Sequence, residues 1–260
     1  MTEIIEGDLY DYPKYYDLLF GSDWRAERDF LLAAFERYAK RDVQHIFEPA
    51  CGTGRLLIKL AEEGYDLAGN DLNPHAVKYC NDRLQRFGFP ETAVVGDMAD
   101  FKLKRKVDVM FNMINSFRHL DSEEKARGHF RCVANSLAKG GLYVFGIHLI
   151  PTKGQRMETE AWVARRGNLQ INSYMWSKGI DKRKRNEALG MTLDIYTPTS
   201  HKRIVDEMHY RTYTAKQMHD LLSHTPELEI AAVHDFTYDL DIEIEIGPTT
   251  EDVVYVFRKV

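Results

Sequence analysis

Gly52 and Gly54 close the run Ile46-Phe47-Glu48-Pro49-Ala50-Cys51-Gly52-Thr53-Gly54, and seventeen residues beyond Gly54 stands Asp71, in Ala68-Gly69-Asn70-Asp71-Leu72-Asn73-Pro74. A short apolar strand there enters a glycine turn, the turn opens a helix over 55–63, and a second strand over 65–69 leads to an acid. Glycine lets a backbone approach a ligand where a Cβ would collide. A carboxylate at the end of the next strand can accept hydrogen bonds from two ribose hydroxyls. Together they suit an adenosine-bearing cofactor at the carboxyl edge of a parallel sheet.

The spacing argues against the common phosphate cradles. The dinucleotide fingerprint is G-x-G-x-x-G, and the Walker loop ends in Gly-Lys-Ser/Thr; here the small residues are Ala50, Gly52 and Gly54, followed by Arg55-Leu56. Glu48 to Gly54 instead resembles the first motif of class I S-adenosylmethionine-dependent methyltransferases, Asp/Glu-x-Gly-x-Gly-x-Gly, with Ala50 standing where the family has glycine. The resemblance continues in order through Val94-Val95-Gly96-Asp97-Met98, Val107 to Asn112, Asn115-Ser116-Phe117-Arg118-His119-Leu120, and Leu137 to Phe145, which looks like a helix end, glycine turn and fifth strand. It implies S-adenosyl-L-methionine as cofactor and S-adenosyl-L-homocysteine as product. By that likeness Glu48, Ala50, Cys51, Gly52 and Gly54 line the methionine end and Asp71 takes the ribose. Leu72 covers an adenine face, Asp97 and Met98 meet the adenine edge, and Asn112 with Met113 offers a carbonyl to the methionine amine.

Methyl transfer from a sulfonium is an in-line displacement, so much of the work is positioning, and no catalytic triad is required. In the glycine N-methyltransferase-like branch, which the chain also resembles after its fourth strand, an N-terminal segment closes over the cofactor. Tyr15 or Tyr16 could then bring a hydroxyl near the sulfonium, and Arg25 could bind the cofactor carboxylate. His119 and His148 follow the fourth and fifth strands and are the candidate bases; the competing reading of each is a hydrogen-bonded structural histidine. Trp162, Arg211 and Tyr213 are further candidates for contact with the acceptor. The basic run Asp181-Lys182-Arg183-Lys184-Arg185 reads as a solvated hairpin tip.

The elements that must position these groups are readable in outline. Residues 1–22 look irregular and aromatic, a cap segment. A helix over 23–40 follows, with Trp24, Leu31, Phe35 and Tyr38 on one stripe, and then βα units with Gly64 and Gly88 ending helices. Asn73-Pro74 starts one helix, Asp121 with Glu124 is capping-box-like, and Thr214 with Gln217 is a capping box. Residues 152–212 lack helical signals; Leu189, Met191, Leu193 and Ile195 alternate, as do Ile204, Asp206, Met208 and Tyr210. The expected fold is α/β: a seven-stranded, mostly parallel Rossmann-like sheet with helices on both faces, plus a small antiparallel insertion after strand five. The expected division is a cap at 1–22, a cofactor-binding domain at 23–151 and 213–260, and the insertion at 152–212. That insertion either roofs the acceptor site or forms a homodimer edge.

Bulk properties restrict the function classes. At 260 residues with 44% apolar content the chain can bury a core, and a net charge of −5 gives no support for nucleic acid or anionic membrane as partner. Its 3 cysteines form no metal spacing, so no metal is expected. With no apolar run of membrane-spanning length, a cytoplasmic location is expected. The leading expectation is a methyltransferase acting on a small-molecule acceptor. The alternatives are a non-catalytic cofactor-binding scaffold and an RNA-modifying methyltransferase; an Asn/Asp-Pro-Pro-Tyr motif, the mark of DNA adenine enzymes, is replaced by Asn112-Met113-Ile114-Asn115.

Overall fold

The computed structural model describes residues 2–260; Met1, the first residue of the expected cap segment, lies outside the described residues. The central sheet is built from β2 (His45–Pro49), β3 (Asp66–Asp71), β4 (Ala93–Val95), β5 (Val107–Asn112), β6 (Leu137–His148), β11 (Leu228–His234) and β12 (Asp252–Lys259). Their order is β11-β12-β6-β5-β2-β3-β4. All pairs from β4 to β6 are parallel, whereas β12 runs antiparallel to both β6 and β11. Strand β5 is buried at every residue, as a strand covered on both faces must be. The order reverses between β2 and β5, which opens a crevice at their carboxyl ends.

Two cores flank this sheet. On one face Leu31 of α2 (Arg25–Tyr38), Leu57 of α3 (Arg55–Glu62) and Leu84 of α4 (Pro74–Arg86) pack with Val109 and Phe111. On the other, Phe130 of α5 (Glu123–Ser136) and Met218 of α6 (Ala215–Leu222) pack with Met110, Tyr143 and Tyr255. The alternation of Val109, Met110 and Phe111 between faces is the strand period of two. Helix starts follow local chemistry. Asn73 Oδ1 accepts from His75 and Ala76 N–H, with Pro74 first in the helix, and Thr214 and Gln217 form a reciprocal capping box. At α5 the cap is Ser122, not Asp121: the Ser122 hydroxyl accepts from Lys125 N–H, and the Asp121 carboxylate is taken by Lys125 Nζ at 2.8 Å.

The second sheet has five strands, in the order β1-β10-β9-β8-β7. It comprises β7 (Thr159–Arg166), β8 (Leu169–Asp181), β9 (Asn186–Thr197), β10 (Ser200–Arg211) and β1 (Glu3–Glu6). The pairs among β7 to β10 are antiparallel, and β1 adds in parallel to β10. The irregular segment expected over 1–22 is therefore corrected. It holds β1, a 3-10 turn at Leu9–Asp11 and α1 (Pro13–Phe20). Four residues, Glu3-Ile4-Ile5-Glu6, carry no clear alternation, and only the distant β10 edge supplies their partners. The helix end expected at 137 is corrected, because α5 stops at Ser136 and β6 starts at Leu137, opposite Val107; the glycine turn is present as an irregularity within β6, where Gly140 is left-handed (φ 77°) and the pairing with β5 resumes at Leu142 opposite Val109.

The inner face of this sheet, with Ile171, Leu189, Met191, Leu193, Ile195, Ile204 and Met208, packs against Leu9, Leu18 and Leu19. The N-terminal segment thus fills the seam between the second sheet and the cofactor edge of the first.

Candidate active site

The turn after β2 is set by three left-handed residues: Ala50 (φ 56°), Gly52 (φ 53°) and Gly54 (φ 71°). Ala50 follows a backbone path that suits glycine and carries the strain, about 1–2 kcal/mol for an L-residue in this region. Ala50→Gly is expected to stabilise the fold by about 0.5–1 kcal/mol after the entropy cost of glycine is subtracted. The urea midpoint would read this; a fall in the midpoint would show that the alanine methyl packs favourably instead. The turn is tied to β3 on two sides. Cys51 N–H donates to Asn70 C=O at 2.9 Å, and Gly52 N–H donates to Asp71 Oδ2 at 2.8 Å. Asp71 Oδ1 accepts from Asn73 N–H at 2.9 Å. Burial raises the Asp71 carboxyl above its ordinary range, opposed by these two backbone bonds. A Cβ at Gly54 would lie 2.3 Å from Cys80 Sγ, whereas one at Gly52 would meet nothing within 4 Å.

The cradle above this turn holds polar groups that the chain itself leaves unanswered. Glu48 Oε2, Asn70 Oδ1 and Asn112 Oδ1 are buried with no hydrogen-bond partner. Asn112 is oriented by Nδ2 donating to Pro49 C=O at 2.8 Å. Burial pushes the Glu48 carboxyl well up, against the lowering effect of Arg55. Orphaned acceptors beside open space at Gly52 fit a ligand with a cationic, hydrogen-bond-donating end. Leu72 is 64% exposed and supplies an uncovered apolar surface beside Asp71. Asp97 Oδ1 accepts from Ala99 N–H at 2.7 Å. The Met98 and Met113 side chains are buried in the cores, and Met98 C=O bonds His129 Nδ1 at 2.9 Å. What these two methionines can offer a ligand is main chain.

The N-terminal helix is pinned onto this cradle. Arg83 Nη1 donates to Asp17 Oδ1 at 2.5 Å and to Thr53 C=O at 3.0 Å, and Asp17 is buried. Tyr16 sits near Glu48, Asp71 and Arg55, whose charges all act on its phenol; burial is the larger influence and raises it. Tyr15, expected at the cofactor as well, is turned away. It stacks on Tyr12 with ring centres 6.3 Å apart, and both phenols act on Lys202. Arg25 is exposed at the start of α2, its guanidinium 5.8 Å from the Trp24 ring, and has no ion pair among the described residues. Arg55 instead makes the two-pronged pair with Glu27, at 2.8 and 2.7 Å.

Two histidines reach the seam between the sheets by different routes. His119 lies on a 3-10 turn (Ser116–His119) entered through two left-handed residues, Ile114 and Asn115. Its Nε2 bonds Tyr10 OH at 2.9 Å, and its ring meets Tyr210 edge-on at 4.8 Å. Crowding among these rings, and then the Arg118 charge, lower it to about 4, so it is neutral at neutral pH. His148 ends β6; its Nδ1 lies 2.6 Å from Asp252 Oδ1, and its backbone N–H donates to Asn115 Oδ1 at 2.8 Å. His148, Glu160, Trp176, Tyr210 and Glu251 line a cavity of about 50 Å³ between the sheets, room for a few waters. Trp162 lies instead against Phe20, 5.5 Å between ring centres. Arg211 and Tyr213, expected near the acceptor, gather around Glu123 outside this cavity.

Sequence reasoning missed several members. Tyr10 carried no signal beyond its place in an aromatic run. The buried Arg118–Glu187–Arg156 network that joins the 3-10 turn to the second sheet had none, because its charges lie on three separated segments. Asp252 lies 104 residues from His148.

A sheet reversing at β2 and β5, with a glycine turn and a strand-end acid at that crevice, is the arrangement of the class I S-adenosylmethionine-dependent methyltransferase fold. The comparisons agree: residues 46–141 match the family model described as a methyltransferase domain. The dTDP-3-amino-3,4,6-trideoxy-alpha-D-glucopyranose N,N-dimethyltransferase of Streptomyces venezuelae is 30% identical over 137 residues, which is 52% of this chain and 56% of that enzyme. A solved S-adenosylmethionine-dependent methyltransferase from Clostridium acetobutylicum superposes with a TM-score of 0.78 at 18% identity, covering 95% of this chain and 97% of that one. The sugar N-methyltransferase KedS8 from Streptoalloteichus gives 0.71 at 20% identity, over 97% and 94%. At these identities the two solved structures share the fold. No helix among the described residues is long and apolar enough to cross a membrane.

Proposed function

We propose that this chain methylates a nitrogen of a small-molecule amine, of the amino-sugar class, in the seam between the two sheets. The observation that carries the reading is the pair of differently prepared imidazoles there. The N,N-dimethyltransferase and sugar N-methyltransferase relatives support the choice of nitrogen. When bound, S-adenosylmethionine supplies an electrophilic methyl group. Glu48 and Asn112 would hold its ammonium end, Gly52 and Gly54 admit it, and Asp71, Leu72, Asp97 and the Met98 main chain would hold the adenosine. Arg25 is free to take its carboxylate, Tyr16 stands over the cradle, and the N-terminal segment excludes water.

An amine must shed a proton before it attacks. His119, with so low a proton affinity, is a poor acceptor for that proton. Staying neutral, it adds no charge beside a cationic acceptor, and with Tyr10 it orients the nucleophile by hydrogen bonding. His148 is better placed as base. Asp252 fixes its Nδ1 side and steadies the imidazolium that would form, leaving Nε2 to receive the proton.

The test is incubation with labelled S-adenosylmethionine and a panel of amino sugars, hydroxyl sugars and thiols, with product mass and kcat/KM against pH. Label on amines alone is expected. His148→Gln should cost about 10²–10⁴-fold in kcat/KM. His119→Asn, which keeps a hydrogen-bonding group, should cost less. Label on hydroxyl or thiol acceptors would overturn the nitrogen assignment, and near-wild-type kcat/KM in a folded His148→Gln protein would overturn the base.

Asp71→Ala is expected to weaken cofactor binding by at least about 1.5–3 kcal/mol, through lost charge-assisted bonds. The turn also loses its tie at Gly52, so Asp71→Ala should exceed Asp97→Ala. Calorimetric titration with S-adenosylhomocysteine checks the ranking, and a larger loss at Asp97 would reverse it.

A further inference from the structure

Three arginines from three elements converge on one carboxylate at the outer edge of the seam. Arg127 is on α5, Arg185 ends the β8–β9 turn, Arg211 ends β10, and Glu123 sits in the first turn of α5. Arg185 Nη1 and Arg211 Nη2 both donate to Glu123 Oε2, at 3.0 and 3.2 Å. Arg127 Nε lies 3.6 Å from Oε1, too far for a hydrogen bond. The forks are held in place elsewhere: Arg185 Nε donates to Thr212 C=O at 3.2 Å and Arg211 Nη1 to Asp121 C=O at 3.3 Å.

What remains points to a missing partner. Arg127 Nε, Arg185 Nη2 and Arg211 Nε are buried without acceptors, and so is the hydroxyl of Tyr213. Tyr213 is 0% exposed and carries the Arg185 guanidinium 4.7 Å from its ring centre. Buried donors left unanswered are costly. Three guanidinia against one carboxylate leave an excess of two positive charges in a half-buried place.

We propose that Arg127, Arg185, Arg211 and Tyr213 form a binding site for a phosphate-class oxyanion, separate from the cavity lined by His148 and Glu160. A phosphate dianion matches the charge excess, and its oxygens accept from planar guanidinium forks. Burial raises the Tyr213 phenol to about 12, against the effect of both arginines, so it is a donor at neutral pH. Glu123 stays charged, because the Arg211 and Arg185 bonds outweigh its burial, and it is the internal competitor for the site. The inference goes beyond methyl transfer and does not depend on it. The phosphate group could arrive free or as part of a larger metabolite.

The test is calorimetric titration of the whole protein, at ionic strength held constant with chloride, with inorganic phosphate, pyrophosphate and glucose 1-phosphate. At least one is expected to bind. Arg185→Gln and Arg211→Gln should each weaken it about ten- to hundredfold, and Tyr213→Phe, which keeps the ring, by less. Glu123→Gln should tighten it, since the competitor loses its charge while the side-chain shape is kept. That gain is a result which a purely structural ion cluster would not give. Tighter binding of inorganic phosphate than of glucose 1-phosphate assigns the site to a free anion, and the reverse assigns it to a phosphorylated metabolite. No binding of any probe, or equal affinity in wild type and all four variants, would overturn the proposal.

Discussion

Gly54→Ala is expected to abolish tight cofactor binding. The new methyl group would lie 2.3 Å from Cys80 Sγ, a buried atom on α4, at a backbone φ of 71°. Overpacking costs about 1–3 kcal/mol, and the left-handed backbone adds about 1–2. The turn can relieve both only by moving away from α4, and that displaces Gly52 and Cys51, which are hydrogen-bonded to the end of β3. A loss of about 3 kcal/mol is about a hundredfold in Kd. Gly52→Ala makes the useful contrast. Its methyl enters open space in the free protein, so stability should fall only by the backbone strain while binding falls at least as far. Titration with S-adenosylmethionine and thermal melting, run on both variants, separate the two effects. Wild-type affinity in a folded Gly54→Ala protein would place the cofactor elsewhere.

Glu187→Ala should cost about 3–5 kcal/mol of stability, the usual result of removing one side of a buried ion pair. The Glu187 carboxylate accepts from Arg118 Nη2 at 2.7 Å, from Ser177 Oγ at 2.8 Å and from Arg156. Without it two guanidinia remain in a dry seam, their side chains only 7% and 15% exposed. Arg118 also packs over the Tyr210 ring at 4.9 Å, next to His119, so methyl transfer should fall with stability. Urea unfolding at neutral pH measures the loss; a change under about 1 kcal/mol would show that the seam admits water. The pH dependence gives a second reading. Burial raises the Glu187 carboxyl, but its hydrogen bonds and the two arginines outweigh this and hold it below its ordinary range. The folded form therefore binds fewer protons than the unfolded form around that range. The pair's contribution is complete above the unfolded value, about 4.3, and is lost as pH falls through the lower folded value. Wild type should lose stability steeply in that window, and Glu187→Ala should show a shallower acid limb.

The parts legible in the sequence are those governed by near neighbours. The glycine turn, the strand-end acid, the Asn73 and Thr214 caps and the alternating strands of the insertion rest on contacts within a few residues, so spacing reveals them. Even there, one residue decides details. Ser122 takes the cap expected of Asp121, because its shorter hydroxyl reaches Lys125 N–H while the aspartate pairs with the Lys125 amine. Tyr15 and Tyr16 were indistinguishable in the sequence. One helical step of about 100° sends Tyr16 to the cradle and Tyr15 to Tyr12.

The sequence by itself determined a cofactor edge. Strand, left-handed turn, helix and acid follow one another within 26 residues, 46–71, and their backbone requirements are local. Only the tertiary structure decided what faces that edge. Tyr10 meets His119 across 109 residues, His148 meets Asp252 across 104, and Arg118 meets Glu187 across 69. Strand β1 exists because β10 offers it an edge nearly 200 residues away. A hydrogen bond or ion pair depends on distance in space, and periodicity along the chain carries no record of which distant segments the packing of two sheets will bring together.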